Sequence, residues 1–393
     1  MGDAPQPAWQ PLTGITIIDF SMLLPGPFAT LMLADLGADV IKIEPPRGDY
    51  ARDMPGHLFR GAARNKRSIV IDLKAPAAVD LIARLAQTAD IAIEGFRPGV
   101  AGRLGIDAKA LQTENPRLIC CSISGYGQSG PKRNHPGHDL AYLAQAGAFQ
   151  HSGHWREPPR RSSAPVADLL GGANAAIAIL AALHERDHTD RGTFIDISLY
   201  EAALYVNGMR FGFDTDGASR DHLYPTNDLF TTGDGQLLAI TIVEEKFWQN
   251  FCAAAGHLCP ELLESRFADE NGRRQHGDGL MDTLETLFAS APLDHWLRLC
   301  QEHDVPATAC LTVREAMQSP HSVARGIHRE TAYGTVLPFP ALVRGAPPHS
   351  GLRPPPRLGE HSRDVLAQIG LTPERIEALV ASGVVVAPAR SSD

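Results

Sequence analysis

The chain has 393 residues, 44% hydrophobic and 21% charged, a globular composition with length for two or three domains and a sizeable core. A formal charge of -9 leaves no basic stripe for nucleic acid, and no apolar run is read that would reach the roughly 18 residues of a membrane span. Neither nucleic acid nor membrane is expected as a partner. Met1-Gly2-Asp3-Ala4-Pro5 has no basic or apolar region of a secretory signal. The cysteines at 120, 121, 252, 259, 300 and 310 form no CxxC pair, so reduced thiols in a cytoplasmic protein are expected.

Residues 15–20, Ile-Thr-Ile-Ile-Asp-Phe, are β-branched and short, as a buried strand is. Leu24-Pro25-Gly26-Pro27 breaks it, and residues 28–36 read as a helix stopped by Gly37. Strands are then predicted at 39–44, 68–73, 90–94 and 117–123, with helices at 77–87 and 108–112 between them. This alternation predicts an α/β fold with a mainly parallel, doubly wound sheet. No GxGxxG follows the first strand, so a dinucleotide site of the usual kind is not indicated. Further on, helices are predicted at 139–149, 167–185 and 202–211, with a strand at 193–199. The polar stretch 214–221 reads as a crossing to a second domain. There a hairpin turning at Gly233-Asp234-Gly235 precedes helices at 246–255, 280–289, 293–303 and 313–317. From Gly334 onward, proline-rich segments alternate with two short helices within 363–380, and Ser391-Ser392-Asp393 reads as a frayed end.

Ligands of such sheets gather at the carboxyl ends of strands. Lys42, Arg64, Lys66, Arg67 and Arg97 lie near these ends and would make a local phosphate-binding rim on an acidic protein. The strongest candidates for proton chemistry lie between Gly137 and Leu183. His138 stands beside Asp139, and Asp168 opens a small-residue helix. Imidazole and carboxylate, with ordinary pKa values near about 6.5 and 3.9, suit two-base proton transfer. For this Asp168 must become more basic, against the helix dipole, and burial against Leu169, Leu170 and substrate would have to dominate. His135-x-x-His138 and His151-x-x-His154 share a zinc-like spacing, but prolines and arginines fill the interval and no acidic or cysteine pattern joins them, so no metal is expected. No G-x-S-x-G marks a nucleophilic serine.

Several stretches together resemble the class III CoA-transferase superfamily, which includes α-methylacyl-CoA racemases and formyl-CoA and carnitine CoA-transferases. They are Pro11-Leu12-Thr13-Gly14 with Leu24-Pro25-Gly26-Pro27, Leu36-Gly37-Ala38-Asp39-Val40-Ile41-Lys42-Ile43-Glu44, Arg64-Asn65-Lys66-Arg67, Glu94-Gly95-Phe96-Arg97-Pro98-Gly99, Gly125-Tyr126-Gly127-Gln128-Ser129-Gly130-Pro131, and Gly137-His138-Asp139-Leu140-Ala141-Tyr142 with Val166-Ala167-Asp168. The resemblance implies a large Rossmann-like domain over 1–213, a small α+β domain over 222–333 and a C-terminal segment, 334–393, returning to the large domain. It also implies an interlocked homodimer and an acyl-CoA substrate, with coenzyme A as part of the substrate and no tightly bound cofactor. Lys42, Asn65, Arg67, Arg97 and Tyr142 are the coenzyme A contacts implied.

Asp168 matches the family's catalytic aspartate, a covalent nucleophile in the transferases and one of two bases in the racemases. Gly137-His138-Asp139 followed by Tyr142 is similar to the racemase pattern, and Glu244 falls where racemases carry a glutamate that orients the histidine. The expectation is epimerisation of a 2-methylacyl-CoA by His138 and Asp168, with Asp139 in support and the enolate held by backbone N–H groups near Gly171 and Gly172. The alternatives are CoA transfer between carboxylic acids through a covalent Asp168 intermediate, and a non-catalytic CoA- or metal-binding protein.

Overall fold

Seven strands form the main sheet, in the order β12-β3-β2-β1-β4-β5-β6. They are β1 (Thr16–Asp19), β2 (Asp39–Glu44), β3 (Lys66–Ile71), β4 (Ile91–Glu94), β5 (Ile119–Ser124), β6 (Phe194–Ser198) and β12 (Val385–Val386). The first six run parallel, and β12 pairs antiparallel with β3. The computed structural model describes residues 9–149, 153–158, 160–209, 223–343 and 352–389. The expected crossing at 214–221, residues 210–211 of a predicted helix, Met1 to Pro5, His151 and Ser391 to Asp393 lie outside the described residues.

The predicted strands and helices stand within a few residues of their places. Between the strands run α1 (Pro25–Asp35), α2 (Leu58–Ala62), α3 (Ala78–Thr88), α4 (Val100–Arg103), α5 (Ala108–Glu114), α6 (Asp139–Gln145) and α7 (Val166–Thr189), and α8 (Leu199–Asn207) follows β6. The helix expected from 202 begins at Leu199 because the Ser198 hydroxyl accepts the Glu201 N–H at 3.1 Å. One core forms where α3, α5, α15 (Ser362–Gln368) and α16 (Pro373–Ala381) cover the strands, around Ile18, Ile69, Leu85, Leu118, Val365 and Leu366. Through β12 the C-terminal segment forms one edge of this sheet.

α7 corrects the expectation that no segment is long and apolar enough to cross a membrane: its 24 residues meet that criterion by length and composition. It packs against α1, α6, β5 and β6. The small residues explain the close approach, since a Cβ built on Gly172 would stand 2.6 Å from the Pro25 carbonyl oxygen in α1. Gly172→Ala is expected to destabilise the fold by about 1–3 kcal/mol, because backbone rather than a flexible side chain must yield. Urea unfolding at constant m-value checks this.

Two compact units divide the chain: one of Met1–Ala146, Ser162–Val206 and Val323–Asp393, the other of Gly147–Arg161 and Asn207–Ser322. These divisions differ from the expected 213, 222 and 333. Trp155 draws its segment into the second unit's core, its indole N–H donating to Asp278 at 2.7 Å. The second unit has the antiparallel sheet β7 (Asn227–Thr231), β8 (Leu237–Thr241) and β9 (Ala307–Ala309), whose first two strands form the expected hairpin. α9 (Glu245–Ala255), α10 (Glu270–Gln275), α11 (Gly277–Ala289), α12 (Leu293–Glu302) and α13 (Val313–Gln318) accompany it around Phe230, Phe251, Phe288 and Trp296. After α14 (Pro320–Arg325) comes the ribbon β10 (Arg329–Thr331) and β11 (Gly334–Val336), tied to α2 by Arg60, which donates to the Tyr333 carbonyl at 2.8 Å.

Candidate active site

Strand order reverses between β1, from which β2 and β3 proceed one way, and β4, from which β5 and β6 proceed the other. A crevice at the carboxyl ends of strands is the standard consequence of such a reversal. Here it is a cavity of about 430 Å³, walled by the loop Ser21 to Gly26 after β1, Gly95 to Pro98 after β4 and Ser124-Gly125 after β5. His138, Tyr142 and Asp168 line it as well.

A buried ionic network holds the first loop. The Lys42 ammonium donates to the Ser21 carbonyl at 2.7 Å and pairs with Asp49 at 2.8 Å. Asp49 accepts the N–H of Leu23, whose φ of 65° is unusual for a branched residue. Lys66 donates to the Pro27 carbonyl and the Thr30 hydroxyl at 2.8 and 2.7 Å, with Asp19 at 3.5 Å. Burial raises the Asp19 pKa, but Lys42, Lys66 and the Ser21 and Thr30 hydroxyls outweigh it and hold the carboxyl below its ordinary value. Burial in turn pushes Lys66 down to about 8.

Tyr142 sets the turn that carries His138. Its hydroxyl donates to the Gly137 carbonyl at 2.6 Å, and its ring fills the space where a Cβ on Gly125 or Gly137 would stand, 2.5 and 2.6 Å from ring or hydroxyl atoms. Burial, Asp168 and Tyr126 push the phenol up to about 12. Tyr142, expected to touch coenzyme A, is a buried part of the cavity wall whose hydroxyl is engaged by the Gly137 carbonyl. His138 follows at the N-cap of α6, exposed, on the same cavity as Asp168.

Asp168 lies half-buried in the first turn of α7. Burial first, and then the charge of Asp139, raise its carboxyl to about 7. Asp139 reaches across from α6, one oxygen accepting the N–H groups of Ala167 at 2.7 Å and Asp168 at 3.3 Å. The expected donors near Gly171 and Gly172 need correction. Both glycines are buried a turn or more inside α7, where helical N–H groups are spent on the preceding turn, and Gly171 packs against Leu199. A buried hydroxyl also lines the cavity, that of Ser124 at the carboxyl end of β5, with no hydrogen-bond partner among the described residues.

The expected cationic rim is rearranged. Lys42 is enclosed in the network above, at 1% exposure. The Asn65 amide donates to Asp35 at 2.7 Å and its oxygen accepts the Arg353 N–H at 2.7 Å. Arg67 is forked on Asp39 and also reaches Gln368 at 2.7 Å, while Arg64 pairs with Asp35. Charged residues within strands covered on both faces must find partners inside the protein. Arg97, in a loop, remains exposed on the cavity wall. Arg47 after β2, Lys74 after β3 and Arg103 on α4 are likewise exposed, with no side-chain partner among the described residues. Their signal was position: each lies beyond a strand's carboxyl end, not within the strand.

Glu244 opens α9 in the second unit, exposed and making no side-chain capping bond. Of the four histidines weighed for zinc, His135 and His138 line the cavity, whereas His154 pairs with Asp228 at 2.7 Å in the second unit. Among the described residues no three His, Cys, Asp or Glu side chains are grouped as metal ligands.

Residues 12–362 match the family described as CoA-transferase family III. The chain is 31% identical to a succinyl-CoA–D-citramalate CoA-transferase of Chloroflexus aurantiacus, covering 96% of this chain and 98% of that protein. It is 30% identical to a human alpha-methylacyl-CoA racemase, covering 94% and 96%. The crystal structure of Rv3272 from Mycobacterium tuberculosis superposes with a TM-score of 0.80 at 31% identity, covering 92% of this chain and all of that one. With named enzymes of both activities among such near-full-length relatives, the chain belongs to CoA-transferase family III and is an enzyme of that family.

Proposed function

We propose that this enzyme exchanges the α-proton of an acyl-CoA thioester and so epimerises a 2-methylacyl-CoA, with Asp168 and His138 as the two bases. The observation that carries the reading is the meeting of both side chains on one cavity, with the Asp168 carboxyl raised to about 7. Burial and the Asp139 charge make Asp168 a stronger base than an ordinary carboxylate, which eases removal of a proton from the weakly acidic α-carbon. The thioester acidifies the α-carbon, the Asp168 carboxylate takes its proton, and the His138 imidazolium returns one on the opposite face. Arg97 on the cavity wall, with the exposed Arg47, Lys74 and Arg103 that follow β2, β3 and β4 in the chain, supplies positive charge for the phosphates of coenzyme A. Glu244 is assigned as the carboxylate orienting His138 by likeness to the racemases alone. We take the working form to be an interlocked homodimer in the cytoplasm, which light scattering and fractionation would check.

The Chloroflexus relative favours a second reading, CoA transfer through an anhydride on Asp168. Incubating a 2-methylacyl-CoA in deuterated water separates the two. Deuterium at the α-carbon without any acceptor acid is expected. Absence of exchange, together with CoA moving to a free carboxylate and hydroxylamine trapping of Asp168, would overturn the proposal. For the enantiomer whose proton Asp168 removes, kcat/KM is expected to fall tenfold per pH unit below about 7, because the base must be ionised.

A further inference from the structure

We propose that Asp139 is a positioning residue for Asp168 in two joined ways: one of its carboxylate oxygens takes up the two N–H groups at the start of α7 that would otherwise stabilise the Asp168 anion, and its negative charge is thereby held beside that of Asp168. This rests on the reading of Asp168 as the reacting carboxylate. α7 begins without a cap of its own, since Pro165 stands at the N-cap position and offers no side-chain acceptor. An aspartate in the first turn of a helix is ordinarily favoured as the anion by the exposed N–H groups and the helix dipole. Here the N–H groups of Ala167 and Asp168 are occupied by a carboxylate 28 and 29 residues earlier in the chain, at 2.7 and 3.3 Å. The Asp168 side chain has no hydrogen-bond partner among the described residues. Helix capping and the loss of anion stabilisation are thus one arrangement: the residue that secures the first turn also presents a like charge to Asp168.

Other titratable groups surround the site. α6 contributes His138 and Tyr142, the cavity loops contribute Arg97, Arg133 and His135, and α1 carries Asp35 at its far end. β5 and β6, beneath α7, carry Cys120, Cys121 and Asp196. Beside burial, it is the charge of Asp139 that raises the Asp168 carboxyl. The adjacency of His138 and Asp139 in sequence gives them different tasks: the histidine faces the cavity, and the aspartate faces the start of α7.

Two variants separate charge from capping. Asp139→Asn keeps a side-chain oxygen for the two N–H groups and removes the charge; Asp139→Ala frees the N–H groups as well. The readout is the ionisation midpoint of Asp168, taken from the infrared carboxyl band as the difference between each protein and its Asp168→Asn counterpart. The midpoint is expected to fall by about one pH unit in Asp139→Asn and further in Asp139→Ala, with the acid limb of activity moving in parallel. Thermal stability should hold in Asp139→Asn and drop in Asp139→Ala. An unchanged midpoint in Asp139→Asn overturns the proposal, and this variant decides the matter even if Asp139→Ala fails to fold. The midpoint does not depend on which reaction is catalysed. Full activity in Asp168→Asn would instead sink the assignment of Asp168, leaving the positioning to be judged by titration.

Discussion

Asp168→Asn is expected to lower turnover by about three to four orders of magnitude while making the folded protein more stable at pH 8. The loss of activity follows from either use of the carboxylate, since an amide is neither base nor nucleophile, and general base catalysis alone contributes about 10²–10⁴-fold. The gain in stability follows from the cause of the raised pKa. Burial and the Asp139 charge make the ionised form of Asp168 costly in the folded state, whereas the unfolded chain titrates near the ordinary 3.8. The folded pKa exceeds the unfolded one, so the group's favourable contribution is fully present below about 4 and is lost as pH rises through about 7. At pH 8 the native protein carries the whole penalty, and removing the charge should recover about 2 kcal/mol after allowance for partial exposure. Differential scanning calorimetry of both proteins at pH 4 and pH 8 checks this. Equal stability differences at the two pH values would contradict a basic Asp168.

The other large effect is expected from His138→Ala, which should abolish α-proton exchange, by about 10²–10⁴-fold, and leave the fold intact. His138 occupies the N-cap position of α6 but makes no capping bond, and its side chain is exposed. Truncating such a residue costs no more than about 0.5 kcal/mol. In a transferase that uses Asp168 covalently, the same variant would keep most of its CoA transfer. Isotope exchange, transfer assay and melting temperature on one preparation therefore distinguish loss of a base from loss of structure. Exchange at the full rate would remove His138 as the second base.

Much of the scaffold was legible because its signals are local. Alternating β-branched runs and amphipathic or small-residue segments specify strands and helices wherever they occur, so six parallel strands and the second unit's hairpin stand close to their expected places. The cavity was legible at the level of loops, since the carboxyl ends of β1, β4 and β5 carry the glycine- and proline-rich stretches that wall it. Residue roles were less legible, because they depend on what lies across the sheet. Lys42 and Arg67 read as part of a cationic rim and Asn65 as a coenzyme A contact, but the turn after β2 brings Asp49 to Lys42, α1 brings Asp35 to Asn65, and the pairing of β2 with β3 brings Asp39 to Arg67. Tyr142 reads as a ligand contact, and only the close approach of Gly125 and Gly137 shows that its ring also supports the turn before His138.

By itself the sequence determined the parallel α/β architecture, the family, and the presence of His138, Asp139 and Asp168 near helix starts, since periodicity and motif are properties of neighbouring residues. Only the tertiary structure decided how basic Asp168 is. That depends on burial and on an oxygen of Asp139 standing 2.7 Å from the Ala167 N–H, a contact spanning 28 residues that no local pattern encodes.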